Sequence, residues 1–170
     1  LVEASMDELS MLPEAGFDAV FQPVSSCYVP DVALLYRQVA RVLVTGGLYL
    51  SQHKQPAALQ AAKEWQAEPG GYLMQEPYYR AGPLSAAPPG SLHREPGTIE
   101  FLHRWEELLG GLCRSGFVIE DVAEPRRGDP KAGPGEFEHR NCYLPPFVAF
   151  KARRTSQVVE GKTLKIWVPQ

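Results

Sequence analysis

The side chains able to do chemistry are spread singly along this sequence, not gathered in one motif. His53 sits just past a predicted strand end, where functional residues gather. It could handle a proton at a substrate or simply face solvent. Cys27 has no base near it in the sequence, so an activated thiolate nucleophile is not indicated. His93, His103 and His139 lack the paired spacing with a neighbouring Glu that zinc sites use, so no metal site is expected. His103, Arg104 and Glu106 flank Trp105 and read as the solvated edge of a packed helix. His139-Arg140-Asn141 lies in the loop ahead of the last predicted strand, within reach of a substrate mouth at that end of a sheet.

Composition bounds what those residues can belong to. The chain has 170 residues, 17 Lys+Arg against 20 Asp+Glu, and 44% hydrophobic residues. That is ordinary globular composition, long enough for one real core. The net charge of -3 lacks the basic excess that drives nucleic-acid binding, so no nucleic-acid partner is expected. No apolar run approaches a membrane span. Three widely spaced cysteines and no leader-like start predict reduced thiols and a cytoplasmic protein. A first residue of Leu predicts a processed product or a fragment.

The elements that position these residues follow from periodicity. Phe17-Asp18-Ala19-Val20-Phe21-Gln22 reads as a strand stopped by Pro23. Val32, Leu35, Val39, Val42 and Leu43 fall on one helix face, with Asp31 as N-cap and Gly46-Gly47 as the stop. Leu48-Tyr49-Leu50-Ser51 is a second strand, which completes a βαβ unit and implies a parallel pair. A second helix is expected from Thr98, with Glu100 in its first turn and Ile99, Leu102, Trp105, Leu108, Leu109 and Leu112 on its apolar face. It ends at Ser115-Gly116. The segments Phe117–Val122 and Pro146–Lys151 then read as an antiparallel pair. Between the two halves, residues 57–67 suggest a short helix with Leu59, Ala62 and Trp65 inward. The stretch 162–168 alternates like one more edge strand and is equally compatible with a loose tail. The fold class is α/β.

Several of these segments, in order, carry a resemblance. Leu9-Ser10-Met11-Leu12-Pro13, Gly16-Phe17-Asp18-Ala19-Val20, Tyr28-Val29-Pro30-Asp31, Arg41-Val42-Leu43-Val44-Thr45-Gly46-Gly47-Leu48-Tyr49-Leu50 and Ser115-Gly116-Phe117-Val118-Ile119-Glu120 together resemble the later part of a class I S-adenosylmethionine-dependent methyltransferase. The resemblance covers residues 3–52 and 98–152. It implies a Rossmann-like sheet, mostly parallel with an antiparallel C-terminal strand, in a domain over residues 1–152, with residues 153–170 as tail or edge strand.

The resemblance also implies roles. Ser5, Met6 and Asp7 fall on the loop that reads the adenine, and Gln22 and Val24 at the strand end facing the methionine part of S-adenosylmethionine. Cys27 and Tyr28 fall where relatives place a substrate-facing residue; for Tyr28 a half-buried packing role is the alternative. Residues 54–97 form an insert of the kind that caps the substrate site, which makes Tyr78, Tyr79 and Arg80 candidates beside His53 for binding a small or medium-sized substrate. The family's glycine-rich loop and ribose-binding acid have no counterpart here, so impaired activity is expected. In the family's strand order Leu1–Ala4 would be an outer third strand, and the strand at 17–22 an exposed apolar edge at which two copies could pair. The alternative is a non-catalytic domain that binds a partner through that edge.

Overall fold

The computed structural model describes residues 2–87, 89–91 and 93–155. Its centre is the βαβ unit: β1 (Phe17–Gln22), α1 (Val32–Val42) and β2 (Leu43–Lys54). Asp31 caps α1 as its position predicts, its carboxylate accepting from the amides of Ala33 (2.8 Å) and Leu34 (3.0 Å). The buried stripe of α1 is Val32, Leu35, Tyr36, Val39 and Val42, the period of a helix laid on a sheet.

β1 and β2 run parallel, with Val20 opposite Tyr49 and Gln22 opposite Ser51. β6 (Phe147–Arg154) is antiparallel to β2 and to β5 (Phe117–Ala123), giving the order β1-β2-β6-β5. Three strands thus share one direction and the C-terminal one opposes them, as the resemblance implies. Tyr49, Val148, Phe150 and Ala152 meet α1 together with Leu108, Leu112 and Phe117 in one core. The opposite face carries Phe21 and Leu50 side by side, 74% and 37% exposed. Among the described residues β1 is an edge strand.

Four expectations fail for physical reasons. Gly46-Gly47 does not stop α1. The helix ends at Val42, and the two glycines lie inside β2, where the pairing with β1 shifts register between Phe17 and Ala19. A Cβ on Gly47 would sit 2.8 Å from the Val44 carbonyl and 3.2 Å from that of Asp18, so the irregular crossing admits only glycine. Residues 2–4 form no strand.

The helix expected over 57–67 is confined to α2 (Pro56–Gln60), followed by β3 (Ala61–Gln66) paired with β4 (Gly71–Met74). Arg140, on α4 (Phe137–Arg140), ends α2 by donating to the carbonyls of Ala58 (2.8 Å), Ala61 (2.9 Å) and Ala62 (3.1 Å).

The helix expected from Thr98 begins only at Trp105. It is a π-turn, Glu106–Gly110, running into α3 (Gly111–Arg114). Upstream, Pro96-Gly97 makes a tight turn, with Gly97 at φ 84° and the Thr98 amide bonded to the Glu95 carbonyl. From Glu100 to Arg104 the backbone is not helical, Phe101 N–H reaching the Cys27 carbonyl (2.7 Å) and Leu84 N–H the Glu100 carbonyl (2.7 Å). Ile99 is accordingly 67% exposed, outside any apolar face. The segment 162–168 lies outside the described residues. No helix among the described residues is long and apolar enough to cross a membrane.

Candidate functional site

The carboxyl ends of β1, β2 and β5 and the start of β6 converge on one rim, the end at which open α/β sheets hold ligands. Gln55, the first residue after β2, ties that rim together by donating to the Glu124 carboxylate (2.6 Å) and the Phe147 carbonyl (3.3 Å). At the β1 end, Gln22 is buried and its amide is held from both sides. It accepts from the Tyr49 hydroxyl and donates to Ser25 Oγ (3.1 Å), with Met6 Sδ 3.7 Å away. Met6, half-buried against the core, thereby brings the 5–7 loop onto the end of β1. The Ser5 hydroxyl donates to one carboxylate oxygen of Asp7.

A cavity of about 450 Å³ opens beside this point, with Val24, Tyr28, Lys54, Ser91, Arg94 and Phe147 in its wall. His93, Glu95 and Pro96 complete the lining. Behind it lies a charge cluster. Glu100 is fully buried and accepts from both Lys54 Nζ and Arg94 Nε, the latter at 2.5 Å. The Lys54 ammonium also stands 5.9 Å from the Tyr28 ring centre. The Tyr28 hydroxyl donates to Glu95 (2.7 Å), and burial followed by that bond pushes its pKa upward. Burial, then the positive charges of Arg140, Arg94 and Lys54, lower His93 to about 4, so its imidazole is neutral at pH 7.

The remaining candidates sit apart from this cavity. His53 is fully buried, where the sequence left it either at the surface or at the site. Its ring is held between Ser26 Oγ (2.7 Å) and Ser51 Oγ (2.9 Å), and burial lowers it to about 3. Cys27 is buried and its thiol is pushed up to about 11 by that burial, which leaves it a protonated packing residue at neutral pH. Tyr78 accepts from the Trp105 amide (3.2 Å), Tyr79 is 80% exposed under the Arg104 guanidinium, and Arg80 pairs with Glu76. His139 stacks with Trp65, Tyr72 and Tyr143.

Structure therefore joins Met6 to Gln22 and Val24 to Tyr28, and adds Lys54, Ser91, Arg94 and Glu100, which sequence reasoning missed. Pro96-Gly97 was the available signal, because a Pro-Gly turn separates Arg94 from Glu100 and argues against a helix start there.

No family model matches the chain. It is 26% identical over 130 residues to the uncharacterized methyltransferase YbaJ of Bacillus subtilis (strain 168), a match covering 75% of this chain and 50% of that protein. It superposes on an S-adenosylmethionine-dependent methyltransferase from Mesorhizobium loti with a TM-score of 0.68 and 28% identity, covering 89% of this chain and 67% of that one. The chain has the class I methyltransferase fold. A SAM-dependent methyltransferase from Methanosarcina mazei shares this methyltransferase fold at 14% identity, with a TM-score of 0.59, over 91% of this chain and 66% of its own. The chain spans about half the length of the curated relative it matches.

Proposed function

We propose that the protein transfers a methyl group from S-adenosylmethionine to a small or medium-sized substrate seated in the rim cavity. The observation that carries this is the convergence, on one sheet rim, of the Met6–Gln22 contact and a cavity walled by Val24 and Tyr28. The superposition on the Mesorhizobium methyltransferase supports it. When bound, the cofactor supplies an electrophilic methyl group on its sulfonium.

This chain's residues fit one side of that cofactor. Asp7 and the amides around it offer hydrogen bonds to an adenine edge, Met6 a soft apolar contact, and Gln22 and Val24 the wall at the strand end. The sequence contains no G-x-G-x-G run, so the groups for the ribose and the methionine carboxylate are not among these residues. His53 acts through its two serines, holding Ser26, two residues before Tyr28, and Ser51 on β2. Tyr28, held by Glu95, and the neutral His93 offer hydrogen bonds to an acceptor hydroxyl or amine. Methyl transfer asks chiefly for alignment of nucleophile, methyl carbon and sulfur, to which the wall residues of the rim cavity contribute on the substrate side. Tyr78, Tyr79 and Arg80 belong to the insert over residues 54–97, whose proposed role is to cover this end. A cytoplasmic setting accords with this reading.

Calorimetric titration of the 170-residue chain with S-adenosylhomocysteine tests the cofactor assignment. The expected result is a dissociation constant near micromolar, about -8 kcal/mol, weakened by Gln22→Ala. Heat-silent mixing at millimolar ligand overturns the reading for this chain.

A second reading, a non-catalytic domain that pairs through its sheet edge, is favoured by a separate observation. Phe21 and Leu50 line an apolar concavity of about 320 Å³ on the face away from α1, next to the β1 edge. On this reading sedimentation gives a dimer of the chain, and Phe21→Lys a monomer. A wild-type monomer at all concentrations rules out self-pairing.

A further inference from the structure

The rim cavity has more hydrogen-bond donors than the protein uses. Ser91 is only 8% exposed, yet its hydroxyl has no hydrogen-bond partner among the described residues. A buried hydroxyl without a partner is costly, and the cost disappears when a ligand supplies the acceptor. Lys54 and Arg94 line the same cavity and share the single carboxylate of Glu100, so two cations face one anion.

An ammonium carries three N–H donors and a guanidinium five. One from each goes to Glu100, and one more from Arg94 goes to the Ser85 carbonyl at 2.6 Å. The other acid of the wall, Glu95, is exposed at the mouth and already accepts from Tyr28. The wall around Ser91, Lys54 and Arg94 is therefore rich in donors. Burial is the main cause that lowers His93; Arg140, Arg94 and Lys54 add to it and Glu100 opposes them.

We infer that the cavity takes an anionic substrate, its carboxylate or phosphate monoester held by the Ser91 hydroxyl and the spare N–H groups of Lys54 and Arg94, with its apolar part against Val24, Tyr28 and Phe147. Only the statement that this ligand is the methyl acceptor rests on the methyltransferase reading. The anion site itself rests on the unpartnered hydroxyl and the spare N–H donors of Lys54 and Arg94. Charge-assisted bonds of this type are the strong ones, and a neutral isostere cannot form them with the spare N–H groups of the two cations.

The test titrates phenylacetate, phenyl phosphate and neutral phenylacetamide into the isotope-labelled full chain, alone and with S-adenosylhomocysteine, followed by amide shifts. At least one of the two acids should bind about tenfold more tightly than the amide, and the tighter acid identifies carboxylate or phosphate as the preferred anion. Ser91→Ala should weaken that acid about fivefold and leave the urea midpoint equal or higher, because the hydroxyl makes no bond inside the protein. Lys54→Met should weaken it too, while leaving Glu100 paired with Arg94.

Equal affinity for acid and amide overturns the inference, as does an acid affinity indifferent to Ser91→Ala, or no binding of either acid under both conditions. A chain that binds S-adenosylhomocysteine but neither acid overturns the anion site alone. One that binds an acid but no S-adenosylhomocysteine supports the anion site and overturns the cofactor reading.

Discussion

Glu100→Gln should destabilise the protein by roughly 3–5 kcal/mol, the cost of leaving buried charge without its partner. The side chains of Lys54 and Arg94 are 9% and 7% exposed, and both depend on one fully buried carboxylate. Replacing it with an amide keeps the shape and removes the only acid bonded to them among the described residues. The same arithmetic makes the partners unequal to the centre. Lys54→Met leaves Arg94 and Glu100 as a one-to-one pair, so its cost should be about 1 kcal/mol or less. The double variant Lys54→Met with Glu100→Gln leaves one orphan cation instead of two and should recover part of the loss. Urea unfolding of the three variants measures this, with equal m-values as the check on two-state behaviour. A Glu100→Gln cost no larger than that of Lys54→Met would show that water reaches the cluster and that the charges are not desolvated.

How legible the protein was depends on the range of the forces that shaped each part. The βαβ unit and the Ser115-Gly116-Phe117 junction could be read because their determinants are local: an Asp cap, a 3.6-residue stripe, a glycine at a turn. The α1 residues Val32, Leu35, Tyr36 and Val39 then meet β2 and β6 in the core almost as patterned.

The insert could not be read this way. Ala61-Ala62-Lys63-Glu64-Trp65-Gln66 is a helix-forming string by propensity, yet it is a strand. Arg140, far along the chain, takes the carbonyls that would have continued α2. Trp65 packs against Tyr72, His139 and Tyr143, which fixes β3 beside β4. Both determinants are tertiary, and no window of local sequence contains them.

The site divides in the same way. The placing of Gln22, Val24 and Tyr28 at the rim was legible because a strand end and a helix start bracket them. Glu100 looked like a first-turn acid of a helix, and its actual role needs Lys54 and Arg94, which reach it from another strand and another loop. Ser91 carried no signal, since a lone serine becomes informative only once its hydroxyl is seen buried and unpartnered. The exposure of Phe21 on the β1 edge was foreseeable from strand order and the resemblance together, whereas Leu50, expected in a buried strand, is 37% exposed beside it.

Acid should unfold the protein well before its carboxylates alone would require, and His53 should account for much of the slope. Its ring is fully buried between Ser26 and Ser51, stacked near Phe150 and edge-on to Tyr36, with His103 as its charged neighbour on protonation. Burial is the main cause that lowers it from an ordinary 6.5 to about 3. Between those two values the unfolded chain binds a proton that the folded one refuses. The stability this group contributes is therefore complete above about pH 6.5 and is lost as pH falls toward 3, by roughly 3 kcal/mol at pH 4.

His93, lowered to about 4, and His103, lowered by burial while it donates to the Ser26 carbonyl at 3.0 Å, act in the same direction. His53→Gln keeps a hydrogen-bonding group between the serines and removes the titration. Urea midpoints from pH 7 down to pH 4 should then fall less steeply than in the wild type, by close to one proton's worth, about 1.4 kcal/mol per pH unit. Parallel curves for the two proteins would mean that His53 takes up its proton in the folded state, and hence that the Ser26–His53–Ser51 layer opens to water without unfolding.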